Sequence, residues 1–182
     1  MKKVLIPLLF SLTCGVAQAA NFVSTTLVHV NDLKSGAVDQ TVQSFRAGKD
    51  VGDLTYGLHV RTVRFDGGGL NNIIETTVTK SFIKGLDTFA GIAYNNGKNG
   101  IVGKDYMYGI VGASTGTKIG PMSVNAGVLT RVNWEDINPS QVVGSLGVSY
   151  PLTNKTAINL GVSRSWLDIQ EKAVAVGLRF NY

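Results

Sequence analysis

The sequence has few charges, a single cysteine and no long hydrophobic run after its N-terminal segment. Only 16% of its 182 residues are charged, and 17 basic against 12 acidic side chains give a formal net charge of +5. So low a charge density argues against a disordered tail and against a nucleic-acid binder with a broad basic face. The lone Cys14 cannot form an internal disulfide or a metal site. No later stretch approaches the about 20 apolar residues that a membrane helix requires.

The N-terminal segment has the pattern of a signal peptide. Lys2 and Lys3 form a short basic region, residues 4–16 are mostly apolar, and Ala17-Gln18-Ala19 supplies the small-x-small pattern of a cleavage site. We therefore predict that residues 1–19 are a cleaved signal peptide and that residues 20–182 form one exported domain. The mature chain then has no cysteine, which fits a bacterial envelope protein that folds without oxidation.

The rest of the chain alternates with a period of two residues. In the clearest segment, Met122 to Trp134, one parity is apolar except for Thr130, and the other is mostly small or polar. Such runs, separated by turn signals such as Asp66–Gly69, predict eight strands from about Asp53 to the C-terminus. Two β-prone segments before Asp53 would add one hairpin, so we expect ten strands, with eight as the alternative.

The composition of the two strand faces distinguishes a soluble sheet from a membrane barrel. The polar parity consists mainly of Gly, Ser, Thr, Asn and Ala, whereas a face in contact with bulk water would carry more Lys and Glu. Small polar groups fit a narrow lumen, and the apolar parity would then face lipid. The sequence thus predicts an all-β fold, a transmembrane antiparallel up-and-down β-barrel whose closure removes exposed strand edges.

The last ten residues carry a resemblance to a known class. Ala173 to Tyr182 has apolar groups at every second position and ends on an aromatic residue. This resembles the C-terminal signature of Gram-negative outer-membrane β-barrel proteins, specifically small porin-like barrels. The resemblance implies a location in the outer membrane, recognition by the barrel assembly machinery through the C-terminal strand, and both termini in the periplasm. Connectors near 48–53, 84–87, 117–121 and 151–155 would be periplasmic turns, and those near 31–38, 66–72, 95–104, 135–141 and 166–172 extracellular loops.

That orientation places aromatic and basic residues near the two membrane interfaces. Trp134 and Trp166 fall at the outer strand ends, and the inner ends carry Tyr56, Phe82, Tyr150 and Tyr182. Two aromatic belts are what a membrane-spanning barrel prefers. Arg64 and Arg164 fall on the lipid-facing parity near the outer ends, where they would either bind lipopolysaccharide phosphates or snorkel to the interface.

A further set of charges is expected inside the barrel. The lumen parity carries His59, Arg61, Glu75, Asp87, Arg131 and Arg179. These residues would form a structural ion-pair network, since an unpaired charge in a confined interior is costly. Alternatively, their positive excess would make a small open pore that favours anions.

The sequence contains no pattern that indicates an enzyme. Neither His29 nor His59 can be placed by spacing in a serine–histidine–acid cluster, and no phosphate-binding or dinucleotide-binding motif surrounds the glycines at 97, 100 and 103. We therefore expect no enzymatic activity, no cofactor, no metal and no nucleic-acid partner. The expected function is that of a porin-like barrel that passes small solutes if open and acts structurally if plugged. A non-channel surface barrel that interacts with lipopolysaccharide is the alternative, and an outer-membrane enzyme ranks third.

Overall fold

The computed structural model describes residues 21–32, 39–83, 85–97, 105–133, 141–167 and 170–182. The predicted signal peptide and Trp134 lie outside these residues. Ten antiparallel β-strands are present in this part of the chain: β1 (Phe22–Asp32), β2 (Gln40–Val51), β3 (Leu54–Phe65), β4 (Leu70–Ile83), β5 (Leu86–Asn96), β6 (Tyr106–Ile119), β7 (Met122–Asn133), β8 (Gln141–Pro151), β9 (Thr156–Leu167) and β10 (Glu171–Asn181).

Each strand pairs with the next along the chain, and β1 pairs with β10 to close the barrel. The predicted up-and-down barrel of ten strands is confirmed, and the eight-strand alternative is wrong because β1 and β2 complete the closure. In the described residues we find no α-helix with the length and apolar composition needed to cross a bilayer.

The two faces of the wall are inverted relative to a soluble protein. On β4, Ile74 is 49% exposed and points outward, whereas the next residue, Glu75, is 6% exposed and points inward. Val128 on β7 and Leu146 on β8 likewise have side chains that are exposed on the outer face. Since successive side chains of a strand point to opposite faces, the apolar parity forms the outer surface and the polar parity lines the lumen.

The two ends of the barrel differ in the length of their connections. The turn end holds Asn21, Tyr182 and the short connections at 52–53, 84–85, 120–121 and 152–155. Gly52 and Gly120 occupy the first turn position with φ of 62° and 59°, which a tight hairpin requires there. At the opposite end, which we call the loop end, β1, β3, β5, β7 and β9 end and β2, β4, β6, β8 and β10 begin. This grouping of the connectors is the one that the sequence predicts.

The buried core lies inside the barrel, toward the loop end. Inward-facing residues of β1 to β6 form it, and we call them the lumen cluster: Val30, Val42, Val63, Phe65, Ile73, Ala93, Tyr108 and Ile110. The sequence predicts a lumen filled by small polar groups, and the apolar lumen cluster departs from that prediction. On the β1 to β6 side of the loop end these apolar side chains pack on one another, and Asn71, Asn95 and Gln141 are buried polar residues at the same end.

Candidate functional site

A cluster centred on Glu75 occupies the lumen. Strand pairing sets Glu75 of β4 directly opposite His59 of β3, and His59 Nδ1 lies 2.8 Å from Glu75 Oε2. Arg61 Nη2 donates to Glu75 Oε1, and Tyr108 Oη of β6 donates to the same oxygen at 3.0 Å. Arg61 Nη2 also donates to Tyr108 Oη at 2.8 Å. We call His59, Arg61, Glu75 and Tyr108 the Glu75 cluster.

The Glu75 cluster crosses the barrel instead of following its wall. In the strand order, β4 and β5 separate β3 from β6. Side chains of β3 and β6 can therefore meet only through the lumen, and Arg61 and Tyr108 do so. Tyr108 is 3% exposed, so its ring fills the space that it spans.

A second set of polar groups lies on the inner face of the wall around Glu171, where each contact to Glu171 spans one intervening strand. Gln40 Nε2 of β2 donates to Glu171 Oε1 at 3.2 Å, and Gln141 Nε2 of β8 donates to Oε2 at 3.3 Å. Arg131 Nη1 of β7 donates to Gln141 Oε1. We call Gln40, Arg131, Gln141 and Glu171 the Glu171 cluster. The Glu171 cluster joins β2, β7, β8 and β10. Together with the Glu75 cluster, it links side chains from most of the strands.

The six charged or titratable residues predicted for the lumen all lie on the inward parity, but only three of them meet. His59, Arg61 and Glu75 are in direct contact. Arg131 bonds to Gln141. Asp87 and Arg179 lie toward the turn end, where Ser81 Oγ donates to Asp87 and Arg179 Nε donates to Asn181 Oδ1 at 3.0 Å.

Sequence reasoning missed several members of the two clusters. Tyr108 has no charge to single it out, and the alternation around it is weak because both parities of β6 carry apolar residues. Gln141 and Glu171 fall within the predicted loops 135–141 and 166–172, but they are the first residues of β8 and β10. Arg46 of β2 also faces inward, since it pairs with His59. Their parity relative to the confirmed strands is the signal that could have found them.

The Glu75 cluster holds a carboxylate, a guanidinium, an imidazole and a phenol in fixed contact. His59 donates its Nδ1 proton to Glu75, and no hydroxyl of the described residues is hydrogen-bonded to His59. No group of three or more His, Cys, Asp or Glu side chains able to hold a metal ion occurs in the described part of the chain.

The predicted interface residues that the structure describes lie on the outer face. The described aromatic rings are exposed, at the turn end for Tyr56, Phe82, Tyr150 and Tyr182 and at the loop end for Trp166. Beside Phe82, Lys80 Nζ lies 5.6 Å from the ring centroid and 3.0 Å from Asp53 Oδ2. The hydrogen bond from Lys80 lowers the pKa of the Asp53 carboxyl in the adjoining turn.

The predicted lipid-facing arginines, Arg64 and Arg164, are exposed near the loop end. Lys172 of β10 lies directly opposite Arg164 of β9 on the same outer face. Two cations facing each other across strands repel, so this pair favours a negatively charged neighbour.

The chain is similar to known proteins in its three-dimensional structure. No protein-family model matches the chain, and no curated protein matches it in sequence. The translocator domain of the autotransporter NalP from Neisseria meningitidis is similar with a TM-score of 0.51 at 12% identity, over 97% of this chain and 94% of that one. The KdgM porin gives a TM-score of 0.48 at 7% identity, over 87% of this chain and 99% of that one. Outer membrane phospholipase A from Escherichia coli gives 0.47 at 11% identity, over 87% and 96%. The closed ten-stranded barrel with an apolar outer surface thus has the fold of outer-membrane β-barrels.

Proposed function

We propose that this protein is an outer-membrane β-barrel with a closed lumen, and that its role in the envelope is structural. The observation that carries this proposal is that inward-facing side chains of non-neighbouring strands bond to each other in both clusters, with the Arg61–Tyr108 contact reaching from β3 to β6.

Burial of the inward-facing residues supports a closed lumen. In a water-filled pore such side chains would remain exposed, yet Glu75 is 6% exposed and Ile110 is 4% exposed. A solute entering from the turn end would have to break charge-assisted bonds and then displace the apolar lumen cluster. Both steps are costly in a low-dielectric interior.

The outer surface supports a place in the outer membrane. It combines an apolar band with exposed aromatic rings at both ends, which suits two membrane–water interfaces. Both termini of the barrel lie at the turn end, and the class that the C-terminus resembles has periplasmic termini; this supports a periplasmic turn end, with β10 as the strand that the barrel assembly machinery engages.

A second role concerns lipopolysaccharide. The Arg164–Lys172 pair is exposed on the outer face near the loop end, with Trp166 beside it in β9. Lipid phosphates would neutralise this pair, and Arg164 offers a bidentate contact. Arg64 on β3 would make a separate contact of the same kind.

Conductance of the refolded protein in planar bilayers tests the closed lumen. We expect the wild type to give no current steps, and the double variant Arg61→Ala with Tyr108→Ala to open a measurable conductance. Val128→Ala, which trims the outer face alone, is the matched control and should stay silent. A wild type that conducts, with a preference for anions, would instead support the porin interpretation and overturn the proposal.

A further inference from the structure

Two inward-facing arginines flank one serine hydroxyl near the turn end. Strand pairing sets Ser24 of β1 opposite Arg46 of β2 on one side and opposite Arg179 of β10 on the other. The three residues share the inward parity, so both guanidinium groups and the hydroxyl project into the same part of the lumen. Neighbouring strands lie about 4.8 Å apart, so the two arginine backbones are separated by about 10 Å. Two long side chains can close on a small ligand across that width.

The charges of these arginines are only partly compensated within the described residues. Arg46 makes no hydrogen bond or ion pair there, and the Ser24 hydroxyl likewise bonds to no described side chain. The like charges of Arg46 and Arg179 oppose each other, while Asp50 offsets part of this at Arg179. Glu75 attracts Arg46, but its own oxygens are already taken by the Glu75 cluster. A like-charged pair with spare donors favours an anion between its members.

The position of Arg179 is fixed in advance of any ligand. Its guanidinium lies 4.2 Å from the centroid of the Phe22 ring. The same ring contacts Gly48: a Cβ added there would come within 2.3 Å of the ring, so any larger residue would displace Phe22. Arg179 Nε donates to Asn181 Oδ1, which leaves the two Nη groups for another acceptor. Stacking and this single bond preorganise the guanidinium.

We propose that Ser24, Arg46 and Arg179 form a binding site for a phosphate group at the turn end of the lumen. A dianionic tetrahedral phosphate matches two cations and a third donor, because it has enough oxygens to accept from all three. A carboxylate carries one charge and fewer acceptor positions. The site goes beyond the structural role proposed above and does not depend on it, since a ligand reaches the turn end without crossing the lumen clusters.

Phosphate titration of the refolded protein, in a maltoside detergent without phosphate groups, tests the site by calorimetry. We expect saturable binding of one inorganic phosphate per chain. Arg46→Gln or Arg179→Gln should weaken it about ten- to a hundredfold, and Ser24→Ala about three- to tenfold. Arg164→Gln removes the same charge from the outer face and should leave the affinity unchanged. Heat-modifiable migration on gels confirms that each variant is folded.

Two probes distinguish the source of the phosphate. Tighter binding of glycerol phosphate than of inorganic phosphate indicates a small phosphomonoester, and the reverse order indicates the free ion. The proposal is overturned if the wild type shows no saturable binding, if Arg46→Gln binds as well as the wild type, or if Arg164→Gln weakens binding equally. These outcomes do not depend on conductance, so they neither support nor contradict the closed-lumen proposal, which the conductance experiment tests.

Discussion

The Glu75 carboxylate, on the inner face of the barrel, is almost inaccessible to water. Three donors from two other strands satisfy it, one each from His59, Arg61 and Tyr108. Removing the charge would leave the Arg61 guanidinium, whose side chain is 14% exposed, without its counter-ion. An unpaired buried charge costs far more than the intact pair contributes.

Replacing Glu75 should therefore destabilise the barrel strongly. We expect Glu75→Gln to lower the free energy of unfolding by about 3–5 kcal/mol, the usual result of removing one partner of a buried pair. Urea unfolding followed by gel migration or tryptophan fluorescence measures this. Asp66→Asn, which removes a carboxylate from an exposed turn, should change stability little.

A double variant separates lost charge from lost packing. Glu75→Gln combined with Arg61→Met removes both charges, so it should recover much of the stability that Glu75→Gln alone loses. Equal stability of Glu75→Gln and Asp66→Asn would mean that the Glu75 cluster does not hold the lumen together.

The residue patterns of individual strands explain which features of the structure could be predicted from the sequence and which could not. On β7 the outward side chains are apolar and the inward ones, such as Asn125 and Gly127, are small or polar, so the alternation is clear. On β5 and β6 the inward Ala93, Tyr108 and Ile110 belong to the lumen cluster, so both parities are apolar and the period fades. Parity indicated that His59, Arg61 and Glu75 face inward. Tyr108 could not be identified as their partner, because a contact across the lumen depends on the diameter and stagger of the closed barrel.

The two faces of β7 should respond differently to a charge. Val128 is 50% exposed on the outer face, so Val128→Arg should destabilise the barrel by about 2–4 kcal/mol if the site lies at the bilayer midplane. Asn125→Arg, on the inward parity nearer the turn end, is the matched control and should cost much less. Unfolding in lipid vesicles measures both. Equal tolerance of the two arginines would refute the assignment of the faces.

The last strand should matter more for assembly than a loop of equal length. Phe180 and Asn181 pair with Val23 and Phe22, and the amide of Tyr182 donates to the Asn21 carbonyl at 3.0 Å. Deleting Phe180–Tyr182 removes these bonds, so we expect the yield of folded, heat-modifiable protein in cells to fall sharply. Deleting residues 98–100 between β5 and β6 should reduce it far less. Comparable losses would argue against a special role for the end of β10.

At the scale of the whole molecule, the apolar outer surface cannot remain in water. The exposed side chains of Leu146, Leu160 and Val174 belong to a band that surrounds the barrel, and such a band on a soluble monomer would cause aggregation. The surface therefore requires lipid or detergent around it.

Cell fractionation tests this requirement directly. We expect the protein in the outer-membrane fraction, cleaved after Ala19, with migration on gels that shifts on heating. Mass spectrometry of the N-terminus checks the cleavage site. Recovery as a soluble periplasmic monomer would contradict the membrane assignment.

The pairing of β1 with β10 also has a consequence for the kinetics of folding. Phe22 pairs with Asn181, so the first and last strands meet across nearly the whole length of the chain. Contacts between residues so distant in sequence carry a large loop-closure entropy, and they form late. Until β10 is in place, β1 has no partner on that side, and its unpaired edge is open to pairing with other chains. We therefore expect closure of β1 onto β10 to be a late step of folding, and the chain needs protection from pairing with other chains until that step is complete.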